Sequence, residues 1–257
     1  MKIAMVVGLA LFLAASTATG RVKAGDVLAG VQPGADGKID VVTIFPHQDD
    51  ETIFVGGTLL TVKKDPRVRT HVICLTLGEL SSAKEVLKIT PEEQARIRTQ
   101  ELQSAAAALK VDELIQLKYH DQGLAKLDQA ALTQEIVDLI ARTGAEVVIT
   151  YGADGITGHI DHRTLSQAVT AAFPQSQAQK LFYVSLPRRL AFLFSLYSHT
   201  RPKPPTLAMD IRPVRKLKSL ALHEHATQRD FSGKFSDLKL MGAIKHEWFT
   251  LAGEKPS

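Results

Sequence analysis

Two clusters of histidine and carboxylate side chains, more than a hundred residues apart in the chain, have the composition of a metal site. Imidazole nitrogens and carboxylate oxygens, without thiolates, suit zinc or another divalent first-row metal. A catalytic zinc site usually has three protein ligands and one position open for water. The side chains are His47, Asp49, Asp50 and Glu51 in the first cluster, and Asp154, His159, Asp161 and His162 in the second.

The spacing within the clusters assigns a role to each of five residues. His47 and Asp50 are three residues apart at the start of a predicted helix, so their donor atoms can lie on one side of it. His162 can supply the third metal ligand. Asp49, beside a ligand, is then placed to act as general base, and His159 can stabilise an oxyanion or protonate the leaving group. A single His-x-x-Asp is more often a helix cap, but two such clusters favour a metal site.

The hydrophobic pattern predicts a fold that brings the clusters together. A buried strand is predicted immediately before each cluster, at Ile39–Phe45 and at residues 145–151. A capping box at Thr90 and Glu93 marks one helix start, and the chain from about Gly253 is expected to be loose. The other predicted strands are residues 69–77, 113–118, 180–184 and 206–211, and the predicted helices are residues 52–64, 91–109, 128–142, 161–173 and 214–228.

This alternation of strands and helices predicts an α/β protein with a doubly wound, mostly parallel sheet and helices on both faces. In such a sheet, loops at the carboxyl ends of neighbouring strands face one crevice, which is where ligands bind. No Gly-x-Gly-x-x-Gly follows the first predicted strand, so binding of a dinucleotide is disfavoured.

The first 20 residues have the pattern of a secretory signal peptide. Lys2 precedes an apolar stretch at residues 3–15, which is too short to span a bilayer comfortably, and small residues at 16–18 offer a cleavage site. A second cleavage site lies at Ala24. The prediction is a signal peptide at 1–20, a lead-in loop at 21–37 and a single domain at 38–252. The protein is then secreted or periplasmic without a stable membrane span; an uncleaved N-terminus that anchors it to a membrane is the alternative.

Composition narrows the classes of function further. The chain is 45% apolar and 23% charged, as in ordinary globular proteins, and its formal net charge of +4 is mild. Basic residues are scattered without interleaved aromatic residues, so no nucleic-acid partner is expected. Cys74 is the sole cysteine, which excludes an intrachain disulfide and a cysteine-based metal site.

The two clusters also carry a family resemblance. Residues 46–51, followed by Gly56 and Gly57, resemble the His-Pro-Asp-Asp-Glu signature of the PIG-L/LmbE-like family of zinc-dependent N-deacetylases. Residues 158–162 resemble the family's His-x-Asp-His motif. Gln48 replaces the usual proline of the first motif without removing a ligand. Further matching segments are residues 76–79, 98–102 and 218–228, the last with Thr227 in place of serine, so that the resemblance covers about residues 39–230.

The resemblance implies a Rossmann-like fold and hydrolysis of an N-acetyl group, usually on an N-acetylglucosamine unit. It implies zinc as the metal, held by His47, Asp50 and His162. The other implied roles are a general base at Asp49, an acid or oxyanion-stabilising group at His159, a tuning partner of His159 or His162 at Asp161, and substrate contacts at Arg98 and Asp121.

Together with the predicted signal peptide, these roles predict an exported zinc-dependent hydrolase that removes an N-acetyl or other N-acyl group. The expected partner is a carbohydrate or glycoconjugate that contains an amino sugar. Two alternatives remain open at this point. One is a membrane-tethered deacetylase of an N-acetylglucosaminyl glycolipid, and the other is a non-catalytic sugar- or metal-binding protein on the same scaffold.

Overall fold

The computed structural model of the protein describes residues 22–187, 191–192, 200–201, 203–228 and 244–255. The predicted signal peptide at residues 1–20 therefore lies outside the described residues. Among the helices that the structure describes, none combines the length and the apolar character needed to cross a bilayer.

A single sheet of eight strands forms the centre of the described fold. The strands are β1 Lys23–Ala24, β2 Ile39–Phe45, β3 Val68–Thr76, β4 Glu113–Tyr119, β5 Val147–Tyr151, β6 Lys180–Ser185, β7 Leu207–Asp210 and β8 His246–Glu254. Their spatial order is β1-β7-β8-β6-β5-β2-β3-β4, and within the described chain only the pairings of β8 with β6 and β7 are antiparallel. The predicted α/β architecture with a mostly parallel sheet is confirmed.

Helices cover both faces of this sheet, as predicted. Neighbouring residues of β2 point to opposite sides, so Val41 joins one apolar cluster with Leu59, whereas Val42 joins the other with Leu139. The capping box predicted at Thr90 is present at the start of the helix Pro91–Ala108. The helices are α1 Asp50–Val62, α2 Ala83–Leu87, α3 Pro91–Ala108, α4 Gln129–Thr143, α5 Ile160–Ala172 and α6 Arg215–Glu224.

The C-terminal prediction was wrong. The chain is not loose from Gly253, because β8 continues to Glu254 and pairs along β6, with Gly253 opposite Leu181. A side chain at 253 would collide with Phe173, whose ring lies 2.5 Å from the position of a Cβ atom. In addition, β1 lies within the predicted lead-in loop and pairs in parallel with β7.

A buried ion pair joins α1 to the C-terminal third of the chain. Lys218 Nζ lies 2.6 Å from Glu247 Oε1 and donates a second hydrogen bond of 2.6 Å to the carbonyl of Ile53. The Glu247 carboxylate also accepts the backbone N–H groups of Gly57 and Thr58, at 2.8 and 2.7 Å. Both charged side chains are buried. The position of α1, whose first residue is Asp50, therefore depends on residues of α6 and β8.

We expect Lys218→Met to lower the free energy of unfolding by about 3 kcal/mol, because it leaves the Glu247 carboxylate buried without its counter-ion. Urea denaturation followed by circular dichroism measures the change. The control is Lys216→Met, at an exposed position of the same helix, which should change stability by no more than about 0.5 kcal/mol. Equal, small effects of the two substitutions would contradict this role of the ion pair.

Candidate active site

The two clusters meet at one edge of the sheet. Strands β2 and β5 are parallel neighbours, with Val41 opposite Val147, so the segments that follow them leave the sheet on the same side. They lie where the winding reverses, since β3 and β4 are on one side of β2 and β5 is on the other. His47 follows β2, Asp50 begins α1, and His162 lies in the first turn of α5.

Three donor atoms form a compact triangle at this edge. His47 Nδ1 lies 3.0 Å from His162 Nε2, and Asp50 Oδ2 lies 3.6 Å from each of these nitrogens. Ligands about 2.0–2.1 Å from a tetrahedral zinc ion are about 3.3 Å from one another. The three residues predicted as ligands therefore have a spacing that fits a divalent metal.

The charge at the site also calls for a cation. Three carboxylates surround the His47 ring, because Asp121 Oδ1 and Asp161 Oδ2 lie 3.1 and 3.4 Å from Nε2 and Asp50 lies on the other side. Burial lowers the pKa of His47, but hydrogen bonds to these carboxylates outweigh burial and raise the pKa well above its usual value. Burial lowers the pKa of His162 to about 4, despite the attraction of Asp50. A divalent cation held by this donor set would take the place of the His47 proton as the positive charge among these carboxylates.

The atoms of His162 and Asp50 that face away from the triangle, Nδ1 and Oδ1, contact neighbours that the sequence analysis did not single out. Tyr151 donates a hydrogen bond of 2.5 Å to Asp50 Oδ1, and its ring stacks on His162 with centroids 4.2 Å apart. His162 Nδ1 lies 3.0 Å from the Gly155 carbonyl and 3.1 Å from Thr157 Oγ1, which leaves Nε2 directed at the triangle. The signal for Tyr151 was its place as the last residue of the strand before the second cluster.

Asp161 has a different neighbour from the one implied by the family resemblance. It was expected to tune His159 or His162, and its charge does raise the pKa of His159 against the larger, opposing effect of burial. Its carboxylate, however, lies against His47 and accepts the backbone N–H groups of Gln122 and Leu124, at 2.6 and 3.2 Å. The reason is that the loop after β4 closes over the first turn of α5.

Asp121, in the same loop, accepts a hydrogen bond from His47 Nε2, an arrangement that orients a ligand histidine and raises its basicity. Its backbone N–H donates a hydrogen bond of 3.0 Å to Glu79 Oε1, so the loop after β3 is joined to the loop after β4. The substrate contact implied for Asp121 stays a prediction.

Asp49 lies beside the triangle. Burial raises the pKa of Asp49 to about 6, against the opposing effect of Arg98, whose Nη2 lies 3.6 Å from Asp49 Oδ2. A carboxylate with a pKa in this range can exchange a proton near neutral pH. Arg98 is 3% exposed and directs its guanidinium at residues 48 and 49. The predicted contact between Arg98 and substrate stays a prediction.

His159 lies at the edge of the same cluster. Its ring centroid is 4.6 Å from that of His47 and 5.2 Å from that of His162, and its side chain is half-buried. Nδ1 accepts the backbone N–H of Asp161 at 3.2 Å and so caps α5. Burial and the neighbouring His47 lower the pKa of His159. Because Nδ1 accepts the hydrogen bond from Asp161, the neutral form of His159 carries its ring proton on Nε2.

The fold and the site define a metal-dependent hydrolase. A family model described as PIG-L, GlcNAc-PI de-N-acetylase, matches residues 42–173, a segment that contains both clusters. The chain is 30% identical over 200 residues to the probable N-acetyl-alpha-D-glucosaminyl L-malate deacetylase 2 of Bacillus anthracis, covering 77% of this chain and 84% of that protein. The chain therefore belongs to the PIG-L family and is an amidohydrolase of the N-deacetylase type.

Solved structures with the same fold include more than one activity. The N,N'-diacetylchitobiose deacetylase of Pyrococcus horikoshii has a TM-score of 0.61 at 20% identity, with 88% of each chain covered. The 4-carboxy-2-hydroxymuconate hydratase of Pseudomonas putida has a TM-score of 0.66 at 14% identity, covering 85% of this chain and 98% of that one. These two likenesses establish the fold, and the reaction must be argued from the side chains of the site.

We expect His162→Ala to weaken the binding of a divalent metal, with zinc as the probe, by at least about a hundredfold, because it removes one of the three predicted ligands. Calorimetric titration of chelator-treated protein with zinc measures the affinity, and elemental analysis measures the stoichiometry. The control is His246→Ala, since His246 lies at the start of β8, outside the cluster. An unchanged zinc affinity in His162→Ala would rule out the proposed triangle as the metal site.

Proposed function

We propose that the protein removes an N-acetyl or other N-acyl group from an amino-sugar substrate, with zinc as its metal. The observation that carries this proposal is the buried carboxylate of Asp49, next in the chain to Asp50 of the triangle and 3.6 Å from Arg98, in a chain that belongs to a family of N-deacetylases. The names of the Bacillus and Pyrococcus deacetylases both refer to N-acetylated sugars, which supports this class of substrate.

A zinc ion, when bound to the triangle, supplies Lewis-acid activation of water and of the amide carbonyl. Asp49 accepts the proton of the attacking water, for which a pKa near 6 is suited at neutral pH. His159 would donate a hydrogen bond from Nε2 to the oxyanion, because Nδ1 is occupied by the N–H of Asp161. The proton that Asp49 has accepted would then pass to the leaving amine. Asp121 and Asp161 keep the His47 ring in one orientation.

The non-catalytic alternative is less well supported. A protein that only binds a metal or a sugar has no need of a second, unliganded aspartate beside the ligands. Here Asp49 not only lies at that position but also has a raised pKa, and such shifts are concentrated at catalytic sites.

We expect Asp49→Asn to lower kcat for acetate release by about 10³-fold while zinc content stays at the wild-type level, because the base is removed and the ligands are kept. The substrates to screen are N-acetylglucosamine, short N-acetylated oligosaccharides and an N-acetylglucosaminyl glycolipid, each with and without a chelator. The control is Asp138→Asn on the surface of α4, which should retain full activity.

The screen also separates the alternatives. Wild-type protein with stoichiometric zinc that releases no acetate from any of these substrates would favour the binding protein. Activity restricted to the glycolipid would favour the membrane-tethered deacetylase. Asp49→Asn with the activity of the wild type would exclude Asp49 as the base.

We also propose that the protein is exported, on the support of the signal-peptide pattern at residues 1–20. Because Lys23 and Ala24 pair with β7, cleavage after Ala24 would remove β1, and this favours the earlier site. We expect the mature N-terminus at residues 19–21, determined by N-terminal sequencing of protein recovered outside the cytoplasm. An intact residue 1 in a membrane fraction would instead support the tethered form.

A further inference from the structure

The peptide bond between Gln48 and Asp49 is held at both ends. Its carbonyl oxygen accepts a hydrogen bond from Arg98 Nη2 of α3. Its N–H group, which belongs to Asp49, donates to Glu51 Oε2 at 3.1 Å. A peptide plane that is bound on both sides cannot rotate, and its orientation sets the backbone angle φ of Asp49.

That angle is unusual. Asp49 has φ 101° and ψ −28°, in the left-handed half of backbone space that a residue with a side chain rarely adopts. Glycine would adopt this conformation readily but would bring no carboxylate. Strained residues of this kind persist only where surrounding contacts over-determine them, and they are concentrated at functional sites. The strained residue here is the proposed base.

On the carbonyl side, the Gln48 side chain orients the Arg98 guanidinium that donates to the carbonyl of residue 48. Gln48 is fully buried, its Nε2 donates to the Thr76 carbonyl at 2.9 Å, and its Oε1 accepts from Arg98 Nε at 3.3 Å. Gly78 leaves room for this arrangement, because a Cβ atom there would lie 2.3 Å from Gln48 Oε1. Residue 48 is also where this chain departs from the proline of the resembled motif.

On the amide side, Glu51 is held by two further side chains. Glu51 Oε1 accepts a hydrogen bond of 2.5 Å from Thr52 Oγ1 and lies 3.2 Å from His225 Nε2, just beyond the end of α6. Glu51 and His225 are 1% and 2% exposed, so water does not compete for these contacts. These contacts of Oε1 fix the Glu51 side chain, so that its Oε2 is positioned to accept the N–H of Asp49.

We propose that Gln48, Arg98, Glu51 and His225 are positioning residues that hold the main chain at Asp49 in its left-handed conformation and so direct its carboxylate at the reacting water. The four residues are named the Asp49 clamp. This inference rests on the proposed deacetylase function and gives Arg98 a role other than the substrate contact implied by the resemblance.

Two substitutions remove contacts of the clamp and leave the predicted metal ligands and Asp49 unchanged. Glu51→Ala removes the acceptor of the Asp49 N–H, and Glu51→Gln restores an oxygen acceptor at the same place. Gln48→Leu removes the side-chain contact to Arg98 while the carbonyl of residue 48 remains. The matched control is Gln94→Leu, since Gln94 is a fully buried glutamine one helical turn before Arg98 whose amide has no hydrogen-bond partner in the described part of the chain.

We expect Glu51→Ala and Gln48→Leu to lower kcat by about ten- to a hundredfold, because a small displacement of a catalytic group has effects of this size. KM should stay within about twofold and zinc content should be unchanged, since neither binding of substrate nor the ligands are altered. Glu51→Gln should recover most of the lost kcat, and Gln94→Leu should retain the wild-type value. The Asp49 amide, followed by NMR, should exchange its hydrogen faster in Glu51→Ala than in the wild type.

These readouts keep the clamp and the proposed function distinguishable. An inactive wild-type enzyme would overturn the proposed function, and the exchange rate of the Asp49 amide would still test the clamp. If the wild type is active but both variants keep its kcat and its Asp49 exchange rate, the clamp is excluded. If Glu51→Ala does not fold, a kcat of Gln48→Leu well below that of Gln94→Leu would support the clamp, and equal values would exclude it.

Discussion

The site depends first on the parallel pairing of β2 with β5. This pairing places two strands that are distant in sequence side by side with the same direction, so the loops after both must leave the sheet at one edge. The loops after β3 and β4 emerge at that edge as well, because the order β5-β2-β3-β4 is parallel throughout. The segments that follow these four strands thereby supply His47, Asp50, Asp121 and His162, whereas Arg98 comes from α3.

Crowding carboxylates at one edge has an energetic consequence. Asp50, Asp121 and Asp161 lie around the imidazoles of His47 and His162 with little water to screen them, which destabilises the folded chain unless a cation or hydrogen bonds offset the repulsion. Asp161 is satisfied by backbone amides, and Asp50 by Tyr151. The buried pair of Lys218 and Glu247 holds α1, which begins with Asp50, against the rest of the fold.

Sequence patterns predicted what local rules and strand direction determine. Strand β2 and the capping box at Thr90 followed from periodicity and cap chemistry, and the proximity of His47 to His162 followed from the strand-end loops. The partners of Asp161 and the course of β8 did not, since both depend on packing between distant segments. Buried and exposed residues do not alternate regularly along β8, so its sequence carries no clear strand pattern. Its course is set by pairing with β6 and β7.

The fold alone does not select the reaction, because a hydratase and a deacetylase share it with this chain. What is left to select it is the disposition of a few side chains, above all the direction of the Asp49 carboxylate. That direction is set by a backbone angle of a kind that costs roughly 1–3 kcal/mol to hold. A chain keeps such an angle only if neighbours from other elements hold it in place, and Arg98 and Glu51 do so here. The conformational free energy spent at residue 49 is therefore the cost at which this common scaffold would direct its proposed base at water.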